Sequence, residues 1–449
     1  MNDHQGNSWL ITGKTPLKGC VRVGGAKNAA YKLMIAALLS SDDSRILNLP
    51  DIKDVEMVQT IINELGGKAQ NVGNKTMLLN GGELREHTIP LKYGKISRAS
   101  TIFIPVLLAK FHKAVVPLPG GDRIGKRPIE RHLDGLEKMG VKWKIEDNIL
   151  NAEVTQLKGA NYRFEKNTHT GTETLILAAV LAKGKTILEN AAQEPEIDDL
   201  INFLNSMGAK ISRLPNRVIE IEGADKLHGA IHKAMPDRNE AVSYACAALA
   251  TGGDIIIENA IVNDLKSFIE KVEEIGGGVE YGDWGLRFYY KNELKATNIQ
   301  TSIHPGFMTD WQPLWAILMC TANGTSQIHE TVMQNRFQYI NILKQMGASI
   351  EIFKPDVQDA SNFYNFNWQD NKETDIHAIK IKGPTLFKGG EFEIHDLRAG
   401  ATTLLAAINA NGKTILHNTD QIERGYENIK QKLIQLGAKI EVMSSNGIE

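Results

Sequence analysis

The chain alternates between two patterns of apolar residues, and the alternation recurs along its length. Short apolar runs such as TILEN (186–190) and IIIEN (255–259) are typical of strands. Each run precedes a polar turn and a segment whose apolar residues lie three and four apart, as in Leu200, Phe203, Leu204 and Met207. This spacing predicts an amphipathic helix. A second strand follows each helix, and six such copies can be aligned.

A glycine follows the amphipathic helix in every copy. The six are Gly66, Gly140, Gly208, Gly276, Gly347 and Gly437, spaced by 68 to 90 residues. Glycine is favoured there because it adopts the left-handed conformation that ends a helix. The longest interval contains a polar, aromatic segment, FKPDVQDASNFYNFNWQDNKETDIHAIK (353–380), which predicts a surface insertion of roughly 20 residues.

Each copy also carries a second kind of helix, rich in alanine and leucine. Examples are 28–41, 172–184, 240–253 and 400–412. These segments are apolar almost all round, so we expect them beneath the sheets. The chain is therefore predicted to be an α/β protein. Units of about 70 residues are too small to be separate domains, and the pattern fits either a generic α/β repeat or two domains of three units each.

Composition excludes several classes of function. The 449 residues include 51 Lys plus Arg and 53 Asp plus Glu, a net charge of -2. General nucleic-acid binding usually needs a basic surface, although a local cationic pocket remains compatible. The three cysteines are far apart, the first residues lack a signal-peptide pattern, and the apolar runs are too short to span a membrane. We expect a cytoplasmic protein with no nucleic-acid or membrane partner.

The segment LPGGDRIGKRP (118–128) places one carboxylate, Asp122, among Arg123, Lys126 and Arg127. A solvated turn can have this composition. Three cations around one acid also suit an anionic ligand and proton transfer. No metal-ligand spacing, GxGxxG or GxxxxGK[ST] motif occurs, which disfavours nucleotide-dependent hydride transfer and P-loop chemistry. We expect neither a cofactor nor a metal.

Other charged residues lie at turns that lead into helices. Lys27 and Asn28 follow a Gly-Gly turn at a predicted helix start, where anions bind favourably. Asp310 precedes an apolar helix and could be only its N-cap. The remaining candidates, which could equally be surface charges, are Arg98, Arg336, Asp396, Arg398 and Arg424. If these turns gather on one face, their cations would suit phosphate and carboxylate recognition.

Nine motifs in order resemble the UDP-N-acetylglucosamine enolpyruvyltransferase family. They are GGAKNAA, RAS, LPGGDRIGKRPIERHLDGLEKMG, ENAAQEPEI, MPDRNEA, FMTDWQ, NRF, DLRAGA and ERGYENIKQKLIQLGA, and they span nearly the whole chain. The resemblance implies a two-domain inverted α/β barrel or prism of six βαβαββ-like units, three per domain. It places the first domain at 27–235, with a catalytic lid loop at 117–128. The second domain is discontinuous and comprises 1–26 and 236–449.

The resemblance implies the first committed step of peptidoglycan synthesis, and hence a role in cell-wall biogenesis, cell shape and cell division. The enolpyruvyl group of phosphoenolpyruvate passes to the 3'-hydroxyl of UDP-N-acetylglucosamine through a tetrahedral ketal, and phosphate is released. Both substrates are anionic, which agrees with convergent cations in a nearly neutral chain. We expect a monomer or weak homo-oligomer.

Residue roles also follow from the matched motifs. The catalytic residues are predicted to be Lys27, Asp122, Asp310 and Arg398. Asp310 is the base for the 3'-hydroxyl, and Asp122, where most relatives carry a cysteine, moves protons at C3 of phosphoenolpyruvate. Lys27, Arg127 and Arg424 hold phosphoenolpyruvate. The other substrate-binding positions are Asn28, Arg98, Pro128, Ile129, Glu130, Arg131, His169, Thr170, Gly171, Val332 and Arg336.

Some positions depart from the family pattern. The segment KNTHTGTETL (166–175) has Asn167 in place of a lysine and His169 and Thr170 in place of a Ser-Val pair, and Arg131 replaces an apolar residue. Three hypotheses therefore remain: the family's own reaction, an enolpyruvyltransferase acting on another nucleotide sugar or nucleoside, and a non-catalytic paralogue that binds nucleotide sugars. A shikimate-pathway enzyme is disfavoured because its lysine-serine phosphate motif is missing.

Overall fold

The computed structural model describes residues 7–94, 98–118, 129–444 and 447–448. These residues form two compact units. Unit 1 contains 7–24 and 236–448, and unit 2 contains 25–118 and 129–235. Each unit has its own hydrophobic core. The N-terminal strands therefore belong with the C-terminal half of the chain.

The strands are short, as is usual for small mixed sheets. Within the described ranges they are β1 (Ser8–Thr12), β2 (Lys18–Arg22), β3 (Ser44–Leu47), β4 (Lys68–Asn71), β5 (Met77–Asn80), β6 (Lys113–Pro117), β7 (Lys142–Glu146), β8 (Ile149–Glu153), β9 (Asn161–Arg163), β10 (Lys185–Glu189), β11 (Lys210–Leu214), β12 (Val218–Glu222), β13 (Ile231–Lys233), β14 (Asp254–Glu258), β15 (Gly278–Gly282), β16 (Gly285–Tyr289), β17 (Ile299–Gln300), β18 (Gly324–His329), β19 (Ser349–Phe353), β20 (Ala378–Gly383), β21 (Glu391–Glu393), β22 (Lys413–His417), β23 (Lys439–Ser444) and β24 (Gly447–Ile448).

The helices of the same ranges are α1 (Lys27–Ala37), α2 (Lys53–Glu64), α3 (Leu91–Gly94), α4 (Phe103–Phe111), α5 (Glu130–Lys138), α6 (His169–Ala179), α7 (Pro195–Ser206), α8 (Arg238–Ala250), α9 (Lys266–Glu274), α10 (Gln312–Thr321), α11 (Ile340–Gln345), α12 (Ala360–Phe363), α13 (Leu397–Asn409), α14 (Asp420–Glu423) and α15 (Ile429–Gln435). Segments Arg98–Ile102, Val262–Leu265 and Trp368–Asp370 form 3-10 turns. Among these helices, none combines the length and apolarity needed to cross a bilayer.

Across the described residues the strands form six sheets, three in each unit. The five-stranded sheet, β21-β22-β1-β23-β24, joins strands from both ends of the chain. Four other sheets share one topology, in which a hairpin is followed by an antiparallel strand and then by an outer strand parallel to that one. Examples are β15-β16-β14-β2 in unit 1 and β11-β12-β10-β9 in unit 2. The sixth sheet, β6-β8-β7, has a parallel bridge between Thr88 and Val115 in place of the fourth strand. The predicted α/β class and its repeats are confirmed.

The alanine-rich helices lie inside the units, as predicted. In unit 1, α10 packs on both α8 and α13, and in unit 2, α4 packs on α1 and α6. Residues 238–249 of α8 and 171–179 of α6 are all buried. Small side chains allow this close approach, and the six sheets cover the helices from outside.

The six periodic glycines all have positive φ, between 87° and 103°. Each directly follows the residue that ends its amphipathic helix, as Gly208 follows Met207 at the end of α7. An L side chain would be strained in this conformation. The spacing of the glycines therefore follows the structural repeat, because each copy needs a residue that can end its helix with a positive φ.

The insertion is mainly a surface segment, as predicted, but it also has a local core. Residues 354–377 contain α12 and a 3-10 turn, and they bury Tyr364 and Phe366, which are 2% and 8% exposed. Aromatic side chains in a polar segment here form a small satellite core.

Candidate functional site

In unit 1, the N-terminal ends of the buried helices meet. Trp311, at the start of α10, donates its indole N–H to Asn239 Oδ1 of α8 at 3.0 Å. Asp396 caps α13 by accepting hydrogen bonds from the backbone N–H groups of Arg398 and Ala399. The turns before these helices therefore face a common region of the unit, as the sequence predicts.

Asp310 lies in this region between two arginines. Arg336 Nη2 donates to Asp310 Oδ1, and Arg398 Nη2 is 3.6 Å from Asp310 Oδ2. The carboxylate keeps 19% of its side-chain surface accessible. The N-cap residue of α10 is Trp311, so the interpretation of Asp310 as the helix cap is wrong. Asp310 is instead the carboxylate of an ion cluster that solvent and small ligands can reach.

Arg398 is held on several sides. Its Nη1 donates to the hydroxyl oxygen of Tyr426 at 3.0 Å, and that hydroxyl lies 2.8 Å from Ser243 Oγ. Burial alone would lower the pKa of Arg398, but Tyr426 and Asp310 raise it overall. The guanidinium is therefore a permanent, oriented cation beside Asp310.

The turn that carries Val332 is organised by a buried acid, Glu330. Its Oε1 accepts the backbone N–H groups of Val332 and Met333, and its Oε2 accepts the hydroxyl of Thr309 at 2.9 Å. Burial raises the pKa of Glu330, while Arg336 opposes the shift. Glu330 thus ties the Val332 turn to the residue before Asp310. The sequence reasoning missed it, because one glutamate after a strand has no distinctive local pattern.

Arg424 directly follows α14 and precedes Tyr426 by two residues. It lies in the segment between α14 and α15, which brings Tyr426 to Arg398. Unit 1 therefore brings together Asp310, Arg336 and Arg398 and places Arg424 on the adjoining segment.

In unit 2, α1 begins at Lys27, as predicted. Lys27 Nζ donates to Asp54 Oδ2 at 2.6 Å, and its side chain is only 17% exposed. The alternative of a solvated lysine is therefore wrong. A cation is disfavoured at a helix N-terminus, and the carboxylate of Asp54 balances the positive charge of Lys27. Asn28 follows in the first turn and is partly buried.

His169, the first residue of α6, belongs to a buried ion cluster. Its Nε2 is 3.1 Å from Glu173 Oε1, and Lys32 Nζ of α1 is 2.9 Å from the same oxygen. Burial alone would raise the pKa of Glu173, but Lys32 and His169 lower it overall. Burial alone would lower the pKa of His169, but Glu173 raises it overall against the charge of Lys32. We call Lys32, Glu173 and His169 the buried triad, after Lys32 and Glu173, which are 2% and 0% exposed; 23% of the His169 side chain is accessible.

The remainder of the segment 166–175, which carries the predicted substrate-binding positions His169, Thr170 and Gly171, is fixed by local contacts. Thr168 caps α6 by accepting the N–H of Gly171, and Thr170 Oγ1 lies 3.0 Å from His132 Nε2. Asn167 is 4% exposed and donates to the carbonyl oxygen of Asn190. Asn167, which stands where the family pattern has a lysine, therefore has a structural role in this loop.

Helix α5, which follows the lid segment, carries three predicted positions. Ile129 is its N-cap residue and Glu130 its first residue. Burial lowers the pKa of Arg131, although Glu165 opposes the shift. Asp122, Arg127 and Pro128 lie outside the described residues, as does the side chain of Arg98, whose backbone starts a 3-10 turn.

Lys32 and Glu173 were not predicted as functional residues. A signal exists: each is a charged residue that lies directly beside the apolar, buried part of its helix. A buried charge is costly unless it is paired, so two such residues in different repeats indicate partners. Only the fold brings α1 and α6 close enough to pair them.

Three comparisons with known proteins identify the family of the chain. The family model of EPSP synthase (3-phosphoshikimate 1-carboxyvinyltransferase) matches residues 11–433. The chain therefore belongs to the EPSP synthase family.

Within this family, curated relatives carry a more specific name. UDP-N-acetylglucosamine 1-carboxyvinyltransferase from Halothermothrix orenii is 38% identical over 96% of this chain and 98% of its own length. The protein of the same name from Idiomarina loihiensis is 38% identical over 97% of this chain and 99% of its own length.

Solved structures support the fold. The enolpyruvyl transferase NikO from Streptomyces tendae is similar with a TM-score of 0.85 at 21% identity, over 99% of this chain and 100% of that one. An EPSP synthase from Acinetobacter baumannii gives a TM-score of 0.67 at 19% identity, over 98% of this chain and 100% of that one. At these identities the likeness concerns the fold alone.

Proposed function

We propose that this protein transfers the enolpyruvyl group of phosphoenolpyruvate to the 3'-hydroxyl of UDP-N-acetylglucosamine and releases phosphate. This is the first committed step of peptidoglycan synthesis. The proposal is carried by the relatives of that name, which are 38% identical over nearly the whole chain. The cluster of Asp310 with Arg336 and Arg398 supports it independently, because this reaction needs a base beside fixed cations.

The two units, in this proposal, are the catalytic domains 27–235 and 1–26 with 236–449, and 117–128 is the lid. The resemblance of the motifs and the division of the fold into two compact units support these bounds. We further propose a cytoplasmic enzyme that acts as a monomer or weak homo-oligomer. Its free cysteines Cys20, Cys246 and Cys320 suit a reducing compartment.

Asp310 is the proposed base for the sugar hydroxyl. Arg336 and Arg398 favour its ionised form, which is the form that accepts a proton. They also orient the carboxylate. As the 3'-oxygen attacks C2 of phosphoenolpyruvate, its proton passes to Asp310, and C3 gains a proton to give the tetrahedral ketal.

Asp122 is the proposed acid that protonates C3 and then removes a proton as phosphate leaves. Lys27, Arg127 and Arg424 are the proposed ligands of the phosphoenolpyruvate anion. A permanent cation such as Arg398 stabilises the negative charge that accumulates on the reacting groups. Protons balance in this scheme, since one enters C3 on addition and one leaves it on elimination, and the 3'-hydroxyl proton taken up by Asp310 leaves with the released phosphate.

A second candidate is the same transfer to a different nucleotide sugar or nucleoside. It is favoured by the buried triad, because His169 occupies a proposed nucleotide-binding position and is engaged with Glu173. The proposed sugar-nucleotide ligands otherwise include Asn28, Arg98, Pro128, Ile129, Glu130, Arg131, Thr170, Gly171 and Val332.

Release of phosphate from phosphoenolpyruvate, measured with a panel of nucleotide sugars, tests the proposal. We expect release with UDP-N-acetylglucosamine and little with UDP-glucose or UDP-N-acetylgalactosamine. A preference for another acceptor would favour the second candidate. Tight binding of UDP-N-acetylglucosamine without any phosphate release would favour a non-catalytic paralogue.

A further inference from the structure

The insertion leaves and rejoins the fold at the end of one hairpin. Strands β19 and β20 pair in an antiparallel ladder whose last partners are Phe353 and Ala378. A two-residue turn would suffice to join such partners. Residues 354–377 therefore occupy the place of a tight turn, and they are not needed to form the hairpin itself.

The insertion is organised around an aromatic cluster. Tyr364 stacks on Trp368 with ring centroids 4.8 Å apart, and Phe366 stacks on His377 at 5.3 Å. His329, at the end of β18, adds an Nε2 contact of 3.0 Å to the Tyr364 hydroxyl. Burial and the neighbouring His377 lower the pKa of His329 to about 4, so this ring is neutral at pH 7. The insertion therefore has a core of its own, anchored on β18.

From this core the insertion contacts the segment 330–336, which follows β18. The backbone N–H of Asn365 donates to the carbonyl oxygen of Thr331 at 2.8 Å. The amide of Gln334 donates to the carbonyl oxygen of Asp370 at 2.6 Å and to Asp375 Oδ2 at 2.7 Å. These bonds attach two points of the segment to the insertion.

The same segment carries proposed substrate-binding groups on its other side. Val332 is held there by Glu330, and Arg336 donates to Asp310. Arg336 is 5% exposed. Its guanidinium is thus fixed in place, and its position depends on the path of the backbone from 330 to 336. The insertion also contacts the start of this path, where the backbone N–H of Glu330 donates to the carbonyl oxygen of His377 at 2.8 Å.

We propose that the insertion 354–377 positions the segment 330–336 for the sugar nucleotide, through the hydrogen bonds of Gln334 and Thr331. This inference rests on the proposed function. The insertion is a positioning element for the acceptor substrate, and phosphoenolpyruvate is bound mainly by other segments. Loss of these hydrogen bonds should therefore weaken binding of the sugar nucleotide selectively. A merely structural role would instead lower stability and affect the binding of both substrates equally.

The decisive variant is Asp375→Ala, which removes the charged one of the two acceptors for Gln334 and leaves the carbonyl oxygen of Asp370. We expect the Kd for UDP-N-acetylglucosamine, measured by calorimetry, to rise about tenfold, because one charge-assisted hydrogen bond is lost. The KM for phosphoenolpyruvate should change less than about twofold. Asp375→Asn keeps an acceptor oxygen and should restore binding to within about threefold.

Asn362→Ala is the matched control. Asn362 lies in the same insertion, and its side-chain amide bonds to Asp359 rather than to the segment 330–336. Its Kd should stay at the unmodified value. A broader variant replaces 354–377 with Asn-Gly, which suits a two-residue hairpin turn, and its Kd should rise more than that of Asp375→Ala.

The inference is overturned if Asp375→Ala binds UDP-N-acetylglucosamine like the unmodified protein. It is also overturned if both substrates weaken in parallel with the melting temperature. Should the shortened variant fail to fold, Asp375→Ala alone decides. Failure of the proposed function is distinguishable, because the unmodified protein itself would then neither bind UDP-N-acetylglucosamine nor release phosphate with it.

Discussion

In each unit a carboxylate lies between two basic side chains close to the buried helices. In unit 1, Asp310 lies between Arg336 and Arg398 and keeps 19% of its side-chain surface accessible. In unit 2, Glu173 lies between Lys32 and His169 and is 0% exposed. The two clusters have similar charges but differ in access.

This difference in access distinguishes a carboxylate that can take part in catalysis from one that has a structural role. A carboxylate that a ligand can reach, and that cations keep ionised, is suited to accept a proton. A fully buried carboxylate cannot reach a ligand, and its charge must be balanced to avoid a large desolvation cost. We therefore assign proton transfer to Asp310 and a structural role, next to the proposed nucleotide loop, to the buried triad.

The largest expected effect comes from Asp310→Asn. The amide keeps the shape and an oxygen for the arginines but cannot take the proton, so turnover should fall by about 10²–10⁴-fold. Binding of UDP-N-acetylglucosamine should persist in calorimetry. Asp254→Asn, in the Asp254–Arg287 pair of β14, is the matched control and should keep full turnover. Turnover near the unmodified rate in Asp310→Asn would remove Asp310 from the chemistry.

Glu173→Gln tests the structural side of the comparison. Removing this charge leaves Lys32 buried and unbalanced, so the free energy of unfolding in urea should fall by about 3–5 kcal/mol. The double variant Glu173→Gln with Lys32→Met should recover most of that loss. Glu189→Gln breaks the exposed Arg163–Glu189 pair and should cost less than about 1 kcal/mol. Equal costs for Glu173→Gln and Glu189→Gln would contradict the contrast in burial.

The pH dependence of stability gives a smaller effect. The pKa of His169 is raised above 6.5, so its stabilisation is full below pH 6.5 and disappears as pH rises through the raised pKa. The pKa of Glu173 is lowered below 4.5, so the stabilisation that Glu173 provides is full above pH 4.5 and is lost as pH falls through the lowered pKa. The unfolding free energy lost in His169→Gln should therefore be greatest between pH 4.5 and 6.5.

Urea unfolding at a series of pH values measures this difference. His395→Gln, at a half-exposed histidine of unit 1, serves as the control for loss of an imidazole and should change the unfolding free energy little. A loss in His169→Gln that grows between pH 7 and 9 would have the wrong sign and would exclude the ion pair with Glu173.

The smallest effects concern the helix caps, where the two units are alike. Asp396 accepts two backbone N–H groups at α13, and Thr168 accepts one at α6. Replacement of either by alanine should cost about 1 kcal/mol in unfolding free energy, with Asp396→Ala the larger. Asp396→Asn should be nearly neutral, because asparagine is an equally good cap. A larger cost for Thr168→Ala would show that the caps, too, differ between the units.

Much of the fold could be predicted from local pattern. The helix starts at Lys27 and at His169 follow turn and capping residues that lie in the same short segment. The insertion was predicted correctly as a surface segment, but its small buried core was not predicted. Burial of Tyr364 depends on Trp368 and His377, and aromatic residues in a polar segment do not reveal whether they will find partners.

The candidate site was predictable only where a motif marks it. Asp310, Arg336 and Arg398 were named from motifs, but their contact joins three separate turns. Glu330 and the buried triad were missed because their significance lies in partners and in burial. The sequence does not distinguish a glutamate in a surface turn from one in a core, because its free energy of ionisation depends on its surroundings.

By itself, the sequence determined the repeating unit. Spacing of apolar residues decides whether a segment is a strand or helix, and a glycine with positive φ, such as Gly208, ends a helix through its own backbone. The tertiary structure alone decided which charges meet. Lys32 and Glu173 come from distant repeats, and Asp310 meets Arg336 and Arg398 across separate turns. Electrostatic stabilisation depends on distance and burial, and both exist only after the helices have packed.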